Sequence, residues 1–143
     1  MDSNPIPFDL LKDWTVVVCD DEPDSLEVAS VILDFYGANV IGCNNGREAL
    51  EAVRKHHPHL VISDLSMPVL DGWGLIHNLK MERSTAEIPV IALTAHAMSG
   101  DRERAIAAGF HNYLTKPLTA DRFMHDLLVL LNDIPELASA LNR

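Results

Sequence analysis

Five residues suited to phosphate or metal chemistry recur along the chain: the acidic pair Asp20-Asp21, the single carboxylate Asp64, the hydroxyl of Thr94 and the amine of Lys116. Each follows a short apolar run. Three carboxylates brought into contact would repel one another by about 4 kcal/mol per pair at ~4 Å in an effective dielectric near ~20. Such a cluster takes up protons or holds cations. Its donors are all oxygen, with no His or Cys among them, which suits a hard ion such as Mg2+. Lys116 adds a fixed positive charge. Metal and lysine together would offset the charge of an incoming phosphoryl group, leaving Asp64 to attack it. Thr94 can donate its hydroxyl to a phosphoryl oxygen.

The runs that carry these groups read as buried strands. Thr15–Cys19 is β-branched and ends on Asp20-Asp21; Ala38–Cys43, Leu60–Ser63, Ile88–Leu93 and Asn112–Leu114 follow at intervals. Between them lie helical patterns. Pro23 and nearby acids open the first, on which Leu26, Ala29, Leu33 and Tyr36 share a face before Gly37. Asn45 and Glu48 form a capping-box signature ahead of Ala49, Leu50 and Val53. Asp71–Met81 is the third helix. Ser99 caps a fourth that ends at Gly109, and Thr119 caps a fifth carrying Phe123, Met124, Leu127, Leu128, Leu130 and Leu131. A short sixth covers Leu137–Leu141. Five strands alternating with helices predict an α/β domain, a doubly wound five-stranded parallel sheet with helices on both faces. Ligands of such sheets bind outside the carboxyl ends of the strands, where Asp20, Asp21, Asp64, Thr94 and Lys116 all stand.

Composition bounds the rest. The chain has 143 residues, enough for one domain, and 48% hydrophobic residues, enough for a core. Residues 1–13 read as a lead-in, 14–132 as the domain and 133–143 as a short helical extension. A net charge of −10 without a basic stripe argues against direct nucleic-acid binding. No signal peptide and no membrane span is legible, so a cytoplasmic setting is expected. Cys19 and Cys43 read as small buried hydrophobes, and Trp14 and Trp73 as packing residues. His56-His57-Pro58-His59 lacks a partner Cys or acid at metal-binding spacing.

Asp20-Asp21, Asp64-Leu65-Ser66-Met67-Pro68 with Gly72, Thr94-Ala95, and Tyr113-Leu114-Thr115-Lys116-Pro117 resemble, in order and spacing, the receiver domain of two-component response regulators. The resemblance spans about residues 14–132 and takes in both single-domain chemotaxis and cell-cycle regulators and the receivers of hybrid histidine kinases. It implies a flavodoxin-like strand order of 2-1-3-4-5. It also implies Asp64 as phosphoryl acceptor, with Asp20 (through water), Asp21, Asp64 and the Ser66 carbonyl around Mg2+. Lys116 would pair with the phosphoryl group, Thr94 and Tyr113 would form a switch pair, and Lys116-Pro117 is a candidate cis peptide. Ser66 and His96 would line the route of the hydrolytic water. The implied partners are a histidine kinase or histidine phosphotransfer protein and a downstream target protein on the face of the fourth helix, fifth strand and fifth helix, the chain itself being a monomer or weak dimer.

Such a domain is a regulatory phospho-acceptor rather than an enzyme acting on other substrates. Met1 and the extra helix favour a stand-alone regulator over a piece of a hybrid kinase. An aspartate-nucleophile phosphatase would need a second acid two residues after the nucleophile, where Ser66 stands and cannot serve as general acid. A scaffold that works without phosphorylation would not need Asp64, Thr94 and Lys116.

Overall fold

A computed structural model of the chain describes residues 6–95 and 101–141. Its elements alternate as β1 (Thr15–Cys19), α1 (Pro23–Phe35), β2 (Asn39–Cys43), α2 (Gly46–His56), β3 (Leu60–Asp64), α3 (Gly72–Met81), β4 (Val90–Thr94), α4 (Asp101–Ala108), β5 (Asn112–Thr115), α5 (Phe123–Asn132) and α6 (Pro135–Leu141). All strands are parallel and lie in the order β2-β1-β3-β4-β5, as the resemblance implied.

Successive side chains of a strand point to opposite faces, and the core divides accordingly. Val16, Val18, Leu60, Ile62, Ile91, Leu93 and Leu114 pack on one face with Leu33 of α1 and Leu127 and Leu131 of α5. Val17, Cys19, Val61, Val90 and Ala92 pack on the other with Val53 of α2, Leu75 and Leu79 of α3, and Phe110. β1, β3 and β4 are therefore buried on both sides, which is why their sequences are continuous apolar runs rather than alternating ones.

The amino edge of the sheet is closed by both ends of the described chain. Leu11 and Trp14 join Ile134 and Leu137 in the first core cluster. Leu11 N–H donates to the Tyr36 carbonyl at 2.9 Å, and Asn39 N–H to that of Trp14 at 2.7 Å. Gly37 allows this close approach: its φ is +98°, and a Cβ there would lie 3.1 Å from the Lys12 nitrogen. His59 stacks on Trp14 with ring centroids 5.8 Å apart, and its Nδ1 accepts from Thr15 N–H at 3.0 Å. That histidine serves the strand ladder.

Local chemistry explains the helix starts and shifts two expected boundaries. Asn45 caps α2 by accepting from Glu48 N–H at 2.9 Å, while Glu48 reaches back to Asn44 N–H rather than to the cap itself. Asp71 caps α3 through Gly74 N–H at 2.8 Å. β4 begins at Val90 instead of Ile88, because Pro89 has no N–H for the ladder. α5 begins at Phe123, preceded by a turn in which the Thr119 main-chain carbonyl, rather than its hydroxyl, accepts from Phe123 N–H at 2.9 Å. The expected Ser99 cap lies outside the described residues, and so does His96.

Candidate functional site

Parallel strands bring three distant acids and a lysine to one edge. Asp20 follows β1, where its N–H donates to the Cys43 carbonyl at 3.1 Å and its Oδ1 accepts from Glu22 N–H at 2.9 Å. Asp64 ends β3. Its Oδ1 accepts from Ser66 N–H at 3.3 Å, and its carbonyl accepts from the Ser63 hydroxyl at 2.9 Å. Helix α3 starts against this carbonyl: a Cβ on Gly72 would fall 2.3 Å from the Asp64 oxygen, so only glycine lets loop and helix meet there. In that loop Val69 holds φ at +70°, an uncommon region for a β-branched residue.

Lys116 arrives from β5, with its N–H on the Thr94 carbonyl at 2.8 Å. Its Nζ donates to Asp64 Oδ2 at 3.1 Å, to Asp20 Oδ1 at 3.1 Å and to Glu22 Oε1 at 2.5 Å. The Lys116-Pro117 peptide is cis.

Oxygens of Asp20, Asp21 and Asp64 all lie within 4.8 Å of one another. Asp20 is fully buried, Asp64 is 6% exposed and Asp21 is open to solvent. With Glu22 the site gathers four carboxylates, three of which, those of Asp20, Glu22 and Asp64, contact the one ammonium. Burial pushes the Asp20 carboxyl up to about 6, and the Asp64 charge adds to this, although bonds from Glu22 N–H and Lys116 pull the other way. Burial pulls the Lys116 pKa down; its bonds to Glu22, Asp20 and Asp64 outweigh that and raise it. Asp20 Oδ2 is buried and accepts no hydrogen bond. Lys116 Nζ stands 2.9 Å from it, at ion-pair distance without hydrogen-bond geometry. A buried anionic oxygen left in that condition, among oxygen donors only, fits a hard cation.

Thr94 ends β4, 7% exposed. Tyr113 lies half-buried on β5 against the second core cluster, and Ser66 is exposed on the loop after Asp64. The structure thus gathers Asp20, Asp21, Asp64 and Lys116, with Thr94 and Tyr113 on the two strands beyond. Glu22 is the contact that sequence reasoning missed. It reads as a helix-start acid, and nothing in its spacing points to a lysine 94 residues away. The thiols of Cys19 and Cys43 stand apart from this chemistry. Burial, with the neighbouring Glu48, pushes Cys43 up to about 11; burial, followed by the charges of Cys43, Asp20 and Asp64, raises Cys19 too. Trp73 meets Phe110 edge-on at 5.9 Å under Arg104, as a packing residue.

Sheet order and acid-lined carboxyl edge place the molecule among the flavodoxin-like α/β domains of two-component signalling. A family model described as the response regulator receiver domain matches residues 16–128, and the chain belongs to that family. It is 33% identical over 119 residues to the polar-differentiation response regulator DivK of Brucella ovis, covering 83% of this chain and 97% of DivK. It is 38% identical over 118 residues to the signal transduction histidine-protein kinase BarA of Shigella flexneri, covering 80% of this chain but only 12% of that kinase. Among solved structures, chemotaxis response regulator CheY4 of Vibrio cholerae superposes with a TM-score of 0.77 at 26% identity, covering 82% of this chain and 98% of CheY4. The receiver of sensor histidine kinase PA1611 of Pseudomonas aeruginosa, described with a magnesium ion coordinated in its active-site cleft, gives a TM-score of 0.72 at 27% identity, covering 82% and 96% of the two chains. The family is regulatory. Among the described residues no helix is long and apolar enough to cross a membrane.

Proposed function

We propose that this receiver is a phosphorylation-dependent switch that takes a phosphoryl group on Asp64 from a histidine kinase or histidine phosphotransfer protein and signals by protein contact. The observation that carries the reading is the joint hold of Asp20 and Asp64 on the Lys116 ammonium, which keeps a positive charge beside the would-be nucleophile. In the transfer an Asp64 carboxylate oxygen attacks phosphorus, the bond to the donor's ring nitrogen breaks, and that nitrogen keeps the electron pair. Asp21, Asp64 and the Ser66 carbonyl, with Asp20 through water, would hold Mg2+, which when bound supplies charge neutralisation for the phosphoryl oxygens. Lys116 pairs with the transferred group, and Thr94 donates its hydroxyl to it. As Thr94 shifts, the half-buried Tyr113 turns inward and alters the surface of α4, β5 and α5.

On that surface a groove of about 700 Å³ opens beside β5, lined by Tyr113, Pro117, Arg122 and the exposed Val129 among others. It is the proposed seat of the target protein. Residues 14–132 act as the switching unit in the cytoplasm, as a monomer or weak dimer, between the lead-in 1–13 and the short extension 133–143. The likeness to the BarA and PA1611 kinases supports a second reading, in which the same switch works as one part of a hybrid kinase.

The test is incubation with Mg2+ and acetyl phosphate, followed by mass measurement. One added phosphoryl group is expected on the wild-type protein and none on Asp64→Asn. An unlabelled wild type, or equal labelling of the variant, would overturn the reading.

A further inference from the structure

We infer that Glu22 is a positioning residue that shares the Lys116 ammonium in the resting site and, through its own charge, selects against dianionic phosphodonors. The inference rests on the phospho-acceptor reading of Asp64. An ammonium has three N–H donors, and those of Lys116 are all engaged, by Glu22 at 2.5 Å and by Asp20 and Asp64 at 3.1 Å each. While Asp64 is still a carboxylate, an arriving phosphoryl group can be met by Lys116 only if one partner lets go. The Asp20 and Asp64 side chains are 0% and 8% exposed, and releasing either would strand a buried carboxylate. The Glu22 side chain is 63% exposed and returns to water on release. It is the exchangeable partner.

A separate observation is that this side chain has no role in starting its helix. Glu22 stands at the N-cap of α1, with φ −90° and ψ 114°, and its side chain makes no capping bond. Its carboxylate turns to Lys116 instead. With Asp21 it forms an anionic rim that an approaching donor must pass. The cost of that approach grows with the donor's charge.

In the reaction an Asp64 oxygen forms the new bond to phosphorus. With acetyl phosphate the bond from phosphorus to the acetyl oxygen breaks and acetate departs with the electron pair. With phosphoramidate the phosphorus–nitrogen bond breaks and the already protonated nitrogen departs as ammonia. Near neutral pH acetyl phosphate is a dianion and phosphoramidate carries one negative charge fewer.

The experiment measures labelling rates of wild type, Glu22→Gln and Glu22→Asp with each donor at saturating Mg2+. Removing one charge from the rim should raise the acetyl phosphate rate of Glu22→Gln about fivefold and the phosphoramidate rate only about twofold, while Glu22→Asp stays close to wild type with both. High salt should narrow the gap between wild type and Glu22→Gln for acetyl phosphate, a readout that a merely structural role would not move. Equal changes with both donors, no change with either, or a Glu22→Asp that behaves as Glu22→Gln would overturn the inference while leaving Asp64 as acceptor. An unlabelled wild type removes the acceptor reading, and this inference with it.

Discussion

At the carboxyl edge of the sheet the buried side chains are charged: Asp20, Asp64 and most of Lys116. At the amino edge they are Leu11, Trp14, Ile134 and Leu137. Both edges are ends of the same parallel ladder, and both are shielded from water. What differs is the return on burial. Apolar groups gain free energy when they leave water, whereas carboxylates lose it unless a cation restores the balance. The amino edge therefore contributes stability, and the carboxyl edge holds charges whose cost falls when a cation arrives.

That contrast can be broken from either side. Trp14→Ala removes a side chain only 2% exposed together with the surface on which His59 stacks, and should cost about 3–5 kcal/mol in chemical unfolding. Labelling of the folded fraction at Asp64 should be unchanged. A site that failed while the protein remained folded would show the two edges to be coupled.

Asp20→Asn should act in the opposite direction. The Asp20 carboxyl is pushed from 3.8 up to about 6, so the folded state binds its proton more tightly than the unfolded chain does. Stability from this group is therefore greatest at low pH and is lost as pH rises from about 4 through about 6. In metal-free buffer at pH 7 the asparagine variant should gain about 1–3 kcal/mol, with the gain vanishing toward pH 4. Urea unfolding with chelator across that range checks it, and a variant less stable at pH 7 contradicts the electrostatic account.

The same proton competes with the metal. Mg2+ binding followed by calorimetry should weaken as pH falls below about 6, where Asp20 is protonated, and should release protons on mixing. The smallest effect is expected from Arg54→Ala. Its guanidinium bonds Glu82 with Nε at 2.9 Å, but the pair sits in solvent at the amino edge. Exposed pairs contribute little, and the melting temperature should barely move.

Much of the carboxyl edge was legible because its residues stand where a run of apolar letters stops. Asp20, Asp64, Thr94 and Lys116 each end or follow a strand, and a parallel sheet has only one edge to which strand ends can point. Glu22 was not legible, since a glutamate before proline is equally good chemistry for starting a helix and its partner is set by tertiary geometry. At the amino edge the lead-in gave two prolines and scattered apolar residues, which do not reveal that Leu11 would be wholly buried. Thr119 misled for a related reason: a threonine carbonyl can end a turn as well as its hydroxyl can begin a helix.

β5 lies at the border of the sheet, paired with β4 alone, and it carries the cation that the acids of β1 and β3 share. Detachment of that one strand would take Lys116 away and leave Asp20 and Asp64 facing each other inside the protein. The acids thus act as a clamp on the strand, and the strand as the counter-ion of the acids. Hydrogen exchange along β5 should therefore report on the charge state of a site built mostly from other strands, and a partner that seized this border would meet, through one lysine, the proposed change at Asp64.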